Sequence, residues 1–353
     1  MSATIAGIDT PRVTAWLAAR LPELDQPLRF TRVGEGQSNL TYRVDDAAGR
    51  SVVLRRPPLG EILASAHDVL REHRILTALG AAGAPVPRTL GACDDAAVTG
   101  APFYVMAHVD GLILTKVATA ELLSPAARQA AGGAVASTLA ALHALDLDAI
   151  GLGDFRRPES LASRQLRRWS RQWEASKTRE LAVIDEVGER LAAQLPEERE
   201  TVLLHGDYHL QNFVLGEDGG VRAVLDWELC TVGDPLADVG QMLAYWNELG
   251  SGASQADGLF REPVTEVPGF PRADELAAAY ARASGRDLAQ VGYWVAFAYW
   301  KIAIIVEGVY RRWLNDPANG SESSTLQPAV ARLAGLARTA LDGVELNSHR
   351  VVN

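Results

Sequence analysis

Apolar residues recur with two periods along this chain, and the change between them divides it. Near the start, Asp9-Thr-Pro-Arg carries a capping side chain and a first-turn proline, which predicts a helix running to about Arg20. Short alternating runs then predict strands at Leu28 to Val33, Leu40 to Val44 and Ser51 to Arg55, the last stopped by Pro57-Pro58. Val69/Leu70, Ile75/Leu76 and Leu79 return at helical spacing, so His67 to Leu79 reads as an amphipathic helix. Two more strands are expected at Thr89 to Cys93 and Pro102 to Ala107.

After Gly111 the helical period dominates. Helices are predicted at Pro125 to Ala144, Ser160 to Lys177, Leu181 to Gln194, Pro235 to Leu249, Ala273 to Ala283, Leu288 to Leu314 and Pro328 to Leu341. They are interrupted only by β-like runs at Val202 to Leu204 and Val221 to Leu225, and Gly250 to Pro271 reads as a loop. A small β-rich lobe followed by a large, mainly helical lobe is an α+β pattern, with the boundary placed between residues 107 and 108. No βαβ alternation points to a dinucleotide fold, and no Gly-x-x-x-x-Gly-Lys-Ser/Thr points to a P-loop.

Composition narrows the picture. At 48% apolar and 22% charged residues the chain has the make-up of a soluble protein. Cys93 and Cys230 lie far apart and the first residues lack a basic-then-apolar leader, so a cytoplasmic location with reduced thiols is expected. The most apolar stretch, Val291 to Val306, is broken by Lys301 and ended by Glu307, which favours a core helix over a membrane span. A formal net charge of −10 argues against nucleic-acid binding. Locally the sign reverses: Phe155 to Glu180 holds eight basic residues and only three acidic ones.

The chemistry concentrates in His205-Gly-Asp-Tyr-His-Leu-Gln-Asn212, followed fourteen residues later by Asp226 in Val-Leu-Asp-Trp-Glu. Phosphoryl transfer needs one carboxylate to orient an attacking hydroxyl and oxygen ligands to hold Mg²⁺ on the phosphates. Asp207 fits the first task, and Asn212 and Asp226 fit the second. The Asp-to-Asn separation of five equals that of the protein-kinase catalytic loop. The apolar runs on either side would fix the two loops on a rigid hairpin.

These motifs, with Gly233-Asp-Pro-Leu-Ala-Asp238, resemble the aminoglycoside phosphotransferase family over about residues 27 to 345. That resemblance implies a bilobal protein-kinase-like fold and ATP with Mg²⁺ as cofactors. Asp207 would be the catalytic base, His205 would support its loop, and Asp238 would brace it. Asp234 reads more simply as a helix cap before Pro235, and Glu228 is open to substrate or to solvent. On the nucleotide side, Gly34, Gly36, Ser38 and Asn39 would cradle phosphates between two strands. Arg55 stands where kinases carry a lysine, with Glu72 as its partner, and strand alternation turns Arg55 rather than Arg56 inward. Arginine's planar fork differs from an ammonium, so a nucleotide-binding pseudokinase remains an alternative. Backbone groups of Ala107 and Val109 would meet the adenine edge at the hinge. No Asp-Phe-Gly or Ala-Pro-Glu segment supports a protein kinase.

The partner is expected to be a small-molecule hydroxyl, and nothing in the sequence sets an oligomeric state. Polycationic aminoglycosides call for acidic pockets. The segment Arg164-Gln-Leu-Arg-Arg-Trp-Ser-Arg171 instead offers Arg164, Arg168 and Arg171 to an anionic acceptor. Together with Val-Leu-Arg-Arg-Pro-Pro58 it resembles the branch of kinase domains associated with acyl-CoA dehydrogenases, which implies a hydroxyacyl-CoA. An aminoglycoside or related antibiotic is the alternative acceptor.

Overall fold

The protein is described from a computed structural model covering residues 5–33, 39–59, 68–246, 262–315 and 326–351, with side chains to 343. The chain forms two compact units. The first is Met1–Asp110 with Ile150–Leu152 and Arg222–Leu229; the second is Gly111–Ala149, Gly153–Val221 and Cys230–Asn353. The segment carrying Asp226 therefore packs with the first unit, although it follows the helical part of the chain.

The first unit starts with α1 (Thr10–Arg20), whose cap Asp9 accepts the Arg12 N–H at 3.2 Å. Strands β1 (Arg29–Val33), β2 (Leu40–Asp45), β3 (Ser51–Arg56), β4 (Thr89–Cys93) and β5 (Phe103–Ala107) form an antiparallel sheet in the order β1-β2-β3-β5-β4. One face packs Tyr42, Val44, Val52 and Leu54 against Val13 and Leu17 of α1. The edge-on contact of Trp16 with Phe103, at 4.9 Å between centroids, joins helix to sheet. On β3 the alternation of side chains separates Arg55 from Arg56. Arg56 is buried among the carbonyls of Gly7, Pro57 and Thr99. Arg55 projects towards α2 (Val69–Ala81), where it meets Glu72. A short helix, α3 (Ala96–Thr99), lies between β4 and β5 and was not legible in the hydrophobic pattern.

The second unit holds α4 (Val117–Glu121), α5 (Pro125–His143), α6 (Leu161–Ser176) and α7 (Ala182–Ala193). Its short strands are β6 (Val202–Leu204) and β7 (Phe213–Leu215), followed in the chain by β8 (Val221–Val224) and β9 (Thr231–Gly233). β6 pairs antiparallel with β9, a strand that three residues of sequence did not announce. Four helices complete it: α8 (Leu236–Trp246), α9 (Ala273–Ser284), α10 (Val291–Asn315) and α11 (Leu326–Val351). Ser124 and Ser160 cap α5 and α6 by accepting N–H groups of their first turns.

Helix α10 is the axis of this unit and packs against α6, α7, α8 and α11. By length and composition it could cross a membrane, yet 72% of its most apolar window is buried inside the protein. At the crossing with α8 a Cβ on Gly240 would come within 2.5 Å of the Trp294 backbone, so only glycine permits this approach.

Candidate active site

Each unit carries part of the predicted chemistry, and each part is held by its own scaffold. In the first unit Arg55 is the centre of an acidic cluster. Its Nη2 lies 2.5 Å from Asp226 Oδ1 and 3.1 Å from Glu228 Oε2. Its Nε is 3.2 Å from Glu72 Oε2, an ion-pair distance whose alignment falls short of a hydrogen bond. Burial works against the guanidinium charge, but Glu72, Asp226 and Glu228 outweigh it and raise the Arg55 pKa. Burial pushes the Glu72 carboxyl upward while Arg55 pulls it back. Glu72 also accepts the Trp227 N–H at 3.1 Å, which fixes the segment next to Asp226.

Asp226 adopts φ 65°, the one non-glycine residue with positive φ among the described residues. Aspartate is among the few side chains that tolerate this region, and such conformations persist where surrounding contacts enforce them. Asn39 donates to Glu228 Oε2 at 2.9 Å, so Glu228 faces the Arg55 cluster and not open solvent. Gly34, Gly36 and Ser38, predicted to cradle phosphates, lie outside the described residues. At the end of β5 the Ala107 N–H is already donated to the Arg88 carbonyl at 2.8 Å. That leaves Val109 as the predicted hinge residue whose N–H and C=O bond no other described residue.

In the second unit the loop from His205 to Asn212 is suspended from α8. Asp238, in the first turn of α8 and only 2% exposed, accepts the N–H of His205 at 2.6 Å and of Gly206 at 2.9 Å. Burial alone would raise its pKa. His143, the nearby His205 and the Gly206 N–H together lower it, so the brace is an anion. His143 Nε2 stands 3.5 Å from Asp238 while its Nδ1 meets the Tyr280 hydroxyl at 2.8 Å, extending the brace to α9. His205 itself is buried and its Nδ1 accepts the Asp207 N–H at 3.2 Å.

Asp207 is thereby presented with both carboxylate oxygens oriented. Gln241, one turn of α8 beyond Asp238, donates to Oδ1 at 3.0 Å. His209 Nε2 lies 3.0 Å from Oδ2, and the ring of Tyr245 on α8 packs at a tilt against the His209 ring, 5.0 Å between centroids. Asn212 Nδ2 donates to the Asp207 carbonyl at 2.9 Å and lies 3.3 Å from Oδ2, which turns the Asn212 Oδ1 away as an acceptor. Gln241, His209 and His143 were not singled out from sequence. The spacing Asp238 to Gln241 was the available signal, since residues three apart share a helix face.

The arginines of α6 divide into two groups. Arg164 donates through Nε and Nη2 to the carbonyls of Glu159 and Val232, which ties it to the surrounding backbone. Arg167 forms a two-pronged pair with Glu159, and Arg179 pairs with buried Glu307. Arg168 and Arg171 are exposed; Arg168 lies over the Trp169 ring at 5.4 Å and neither has a carboxylate partner among the described residues.

Residues 29–294 match the phosphotransferase enzyme family. The chain belongs to that family. It is also similar to proteins named acyl-CoA dehydrogenase family members. It is 36% identical over 314 residues to family member 10 of Mus musculus, covering 87% of this chain and 29% of that protein. With family member 11 of Gallus gallus it shares 36% identity over 318 residues, covering 87% and 40%. The chain thus spans well under half the length of these two relatives. Among solved structures, a Ralstonia eutropha JMP134 protein provisionally named an aminoglycoside phosphotransferase superposes with a TM-score of 0.77 at 28% identity, covering 96% of this chain and 98% of that one. An amicoumacin kinase solved with AMP-PNP, Ca²⁺ and its antibiotic shares the fold alone, with a TM-score of 0.59 at 15% identity and 95% coverage of both chains. The fold of this phosphotransferase is the kinase-like α+β fold.

Proposed function

We propose that this phosphotransferase moves the γ-phosphoryl group of ATP to a hydroxyl of a small acyl metabolite, of which a hydroxyacyl-CoA is the favoured member. The observation that carries this reading is the presentation of Asp207. Its backbone loop is fixed by an ionised Asp238, and its carboxylate is aimed by Gln241, His209 and Asn212. A carboxylate held in this way can accept a hydrogen bond from an alcohol and take its proton as the oxygen attacks phosphorus. Positioning is most of what such a reaction asks of a protein.

The donor set fits Mg²⁺. Among the described residues no three His, Cys, Asp or Glu side chains gather to hold a metal by themselves. Asp226 of the first unit and Asn212 of the second are the side chains assigned to the metal, a carboxylate and an amide, donor types that suit an ion completed by phosphate oxygens and water. Mg²⁺ supplies charge neutralisation on the phosphates when bound. Arg55 is the cation assigned to those phosphates, and Glu72 fixes its orientation.

The acyl acceptor is supported by the names of the relatives and by Arg168 and Arg171, which present positive charge without carboxylate partners among the described residues. One observation favours a second reading, a nucleotide-binding module without turnover: Arg55 is engaged by three carboxylates at once. Incubation with Mg-ATP and a panel of hydroxyacyl-CoAs, aminoglycosides, macrolides and choline separates the readings. Acceptor-dependent ADP release with a hydroxyacyl-CoA supports the first, turnover of an antibiotic alone replaces its acceptor, and ATP binding without any turnover supports the second.

A further inference from the structure

His143 and Tyr280 are buried on α5 and α9, away from the loop that carries the proposed base, yet one line of contacts joins them to it. The Tyr280 hydroxyl stands 2.8 Å from His143 Nδ1, and the two rings meet edge-on at 5.8 Å between centroids. The other ring nitrogen, Nε2, is 3.5 Å from Asp238 Oδ2. The backbone of His143 is held as well. Its carbonyl accepts from Arg286 Nη2 at 3.0 Å, and Arg286 forms a two-pronged pair with Glu200 at 2.6 and 3.0 Å. Glu200 lies two residues before β6, the strand that leads into the His205 loop. All of these residues belong to the second unit.

The distances decide where the protons sit. Asp238 is an anion whose oxygens only accept, so an attractive contact from His143 requires a hydrogen on Nε2. An imidazolium would draw a carboxylate to about 2.7–2.9 Å. The observed 3.5 Å is well beyond that and suits a neutral ring. The short bond is the one to Tyr280, at the usual length for a hydroxyl donor. Burial pushes the Tyr280 pKa up to about 12 against the pull of Arg286, so the hydroxyl keeps the proton it donates. A ring with hydrogen on Nε2 and a lone pair on Nδ1 satisfies both neighbours, whereas the opposite tautomer sets a lone pair against the Asp238 carboxylate. The oxygen it would face is Oδ2, which accepts the His205 N–H at 2.6 Å, while Oδ1 takes the Gly206 N–H at 2.9 Å. The wrong tautomer would therefore push the carboxylate off the N–H groups that suspend the loop.

Resting on the role proposed above for Asp207, we infer that Tyr280 is a positioning residue for the base. By donating to His143 Nδ1 it fixes the tautomer that points a hydrogen from Nε2 at Asp238, and through Asp238 it holds the loop that presents Asp207. The hydroxyl performs this task and not the ring. Tyr280 acts through two intervening side chains and not on the reacting atoms.

The test uses NMR of the imidazole nitrogens on the full chain carrying isotope-labelled histidine, with amide hydrogen exchange and steady-state kinetics beside it. Wild type, Tyr280→Phe, His143→Gln and the double variant are compared, and unfolding midpoints check that each folds. In wild type, His143 Nδ1 should be an unprotonated acceptor and Nε2 a protonated donor, a result that needs no variant. Tyr280→Phe should give a mixed or doubly protonated ring and speed exchange at the His205 and Gly206 amides about fivefold or more. With Mg-ATP and 3-hydroxybutyryl-CoA, kcat should fall by a similar factor while KM for ATP stays within about twofold. His143→Gln supplies an amide N–H that has no tautomer to set, so adding Tyr280→Phe to it should change exchange and kcat by less than about twofold. A wild-type ring with hydrogen on Nδ1, an imidazolium in wild type, or an unchanged tautomer or exchange rate in Tyr280→Phe overturns the inference. So does an equal effect of Tyr280→Phe with and without His143→Gln, which would place its action in packing. The expected tautomer and exchange results, with no turnover of any acceptor, would leave the positioning link standing and sink the function proposed above.

Discussion

Arg55 Nη2 approaches Asp226 Oδ1 to 2.5 Å, so the cation assigned to nucleotide phosphates is paired with the carboxylate assigned to the metal. A guanidinium can hold Glu72 through Nε while another nitrogen of its fork reaches Asp226, which a lysine ammonium cannot reproduce in the same plane. Nucleotide with Mg²⁺ would have to compete with this pair.

Arg55→Met should therefore lower kcat/KM for ATP by about a hundredfold, the usual consequence of losing one charged transition-state donor. Arg55→Lys should retain more activity than Arg55→Met. Steady-state kinetics on the two variants checks both, and equal activity of wild type and Arg55→Met would remove Arg55 from the phosphate site.

Asp238→Asn should act on the catalytic loop without touching nucleotide. Replacing one oxygen by an NH₂ group sets a donor against the N–H of His205 or Gly206. We expect kcat to fall by about 10- to 100-fold with the KM for ATP nearly unchanged, together with a lower unfolding midpoint.

Much of this was legible in advance because it depends on local rules. Strands β1 to β5 were marked by short apolar runs and turn residues, and the motif around Asp207, Asn212 and Asp226 by its residue types and spacing. What was missed depends on tertiary neighbours. Sequence shows the charge of Arg164 and not the Val232 carbonyl that one of its nitrogens donates to. Gln241 looked like one more polar residue of α8 until the loop came into contact with it. Three-residue β9 exists because β6 pairs with it. The strain at Asp226 likewise appears only when the backbone is built.

Acid sensitivity should originate partly in the β2–β3 turn. Burial tends to raise the Asp46 pKa, but the Arg50 guanidinium and the backbone N–H groups of Asp25 and Arg50 bring it down to about 2. A carboxyl with a depressed folded-state pKa stabilises the fold above its unfolded value, near 4, and that contribution is lost as pH falls from about 4 to 2. Asp46→Asn should be less stable than wild type at pH 7, and the gap should shrink with acidification over this window. Chemical denaturation at several pH values provides the measurement.

Glu307 is fully buried on α10 and accepts from Thr178 N and Oγ1 while pairing with Arg179. Removing one member of such a network leaves the others unsatisfied. Glu307→Ala should destabilise the protein by about 3 kcal/mol or more in denaturant titration, with ATP affinity preserved wherever the variant is folded.

The central claim is that Asp207 is the base of an ATP-dependent transfer to a hydroxyl. Its most direct test is single-turnover phosphoryl transfer from Mg-ATP to the acceptor identified in the panel, comparing wild type with Asp207→Asn at saturating nucleotide. The account predicts that the variant binds ATP with unchanged affinity and transfers phosphate at least about a hundredfold more slowly. Equal transfer rates in the two proteins would contradict it.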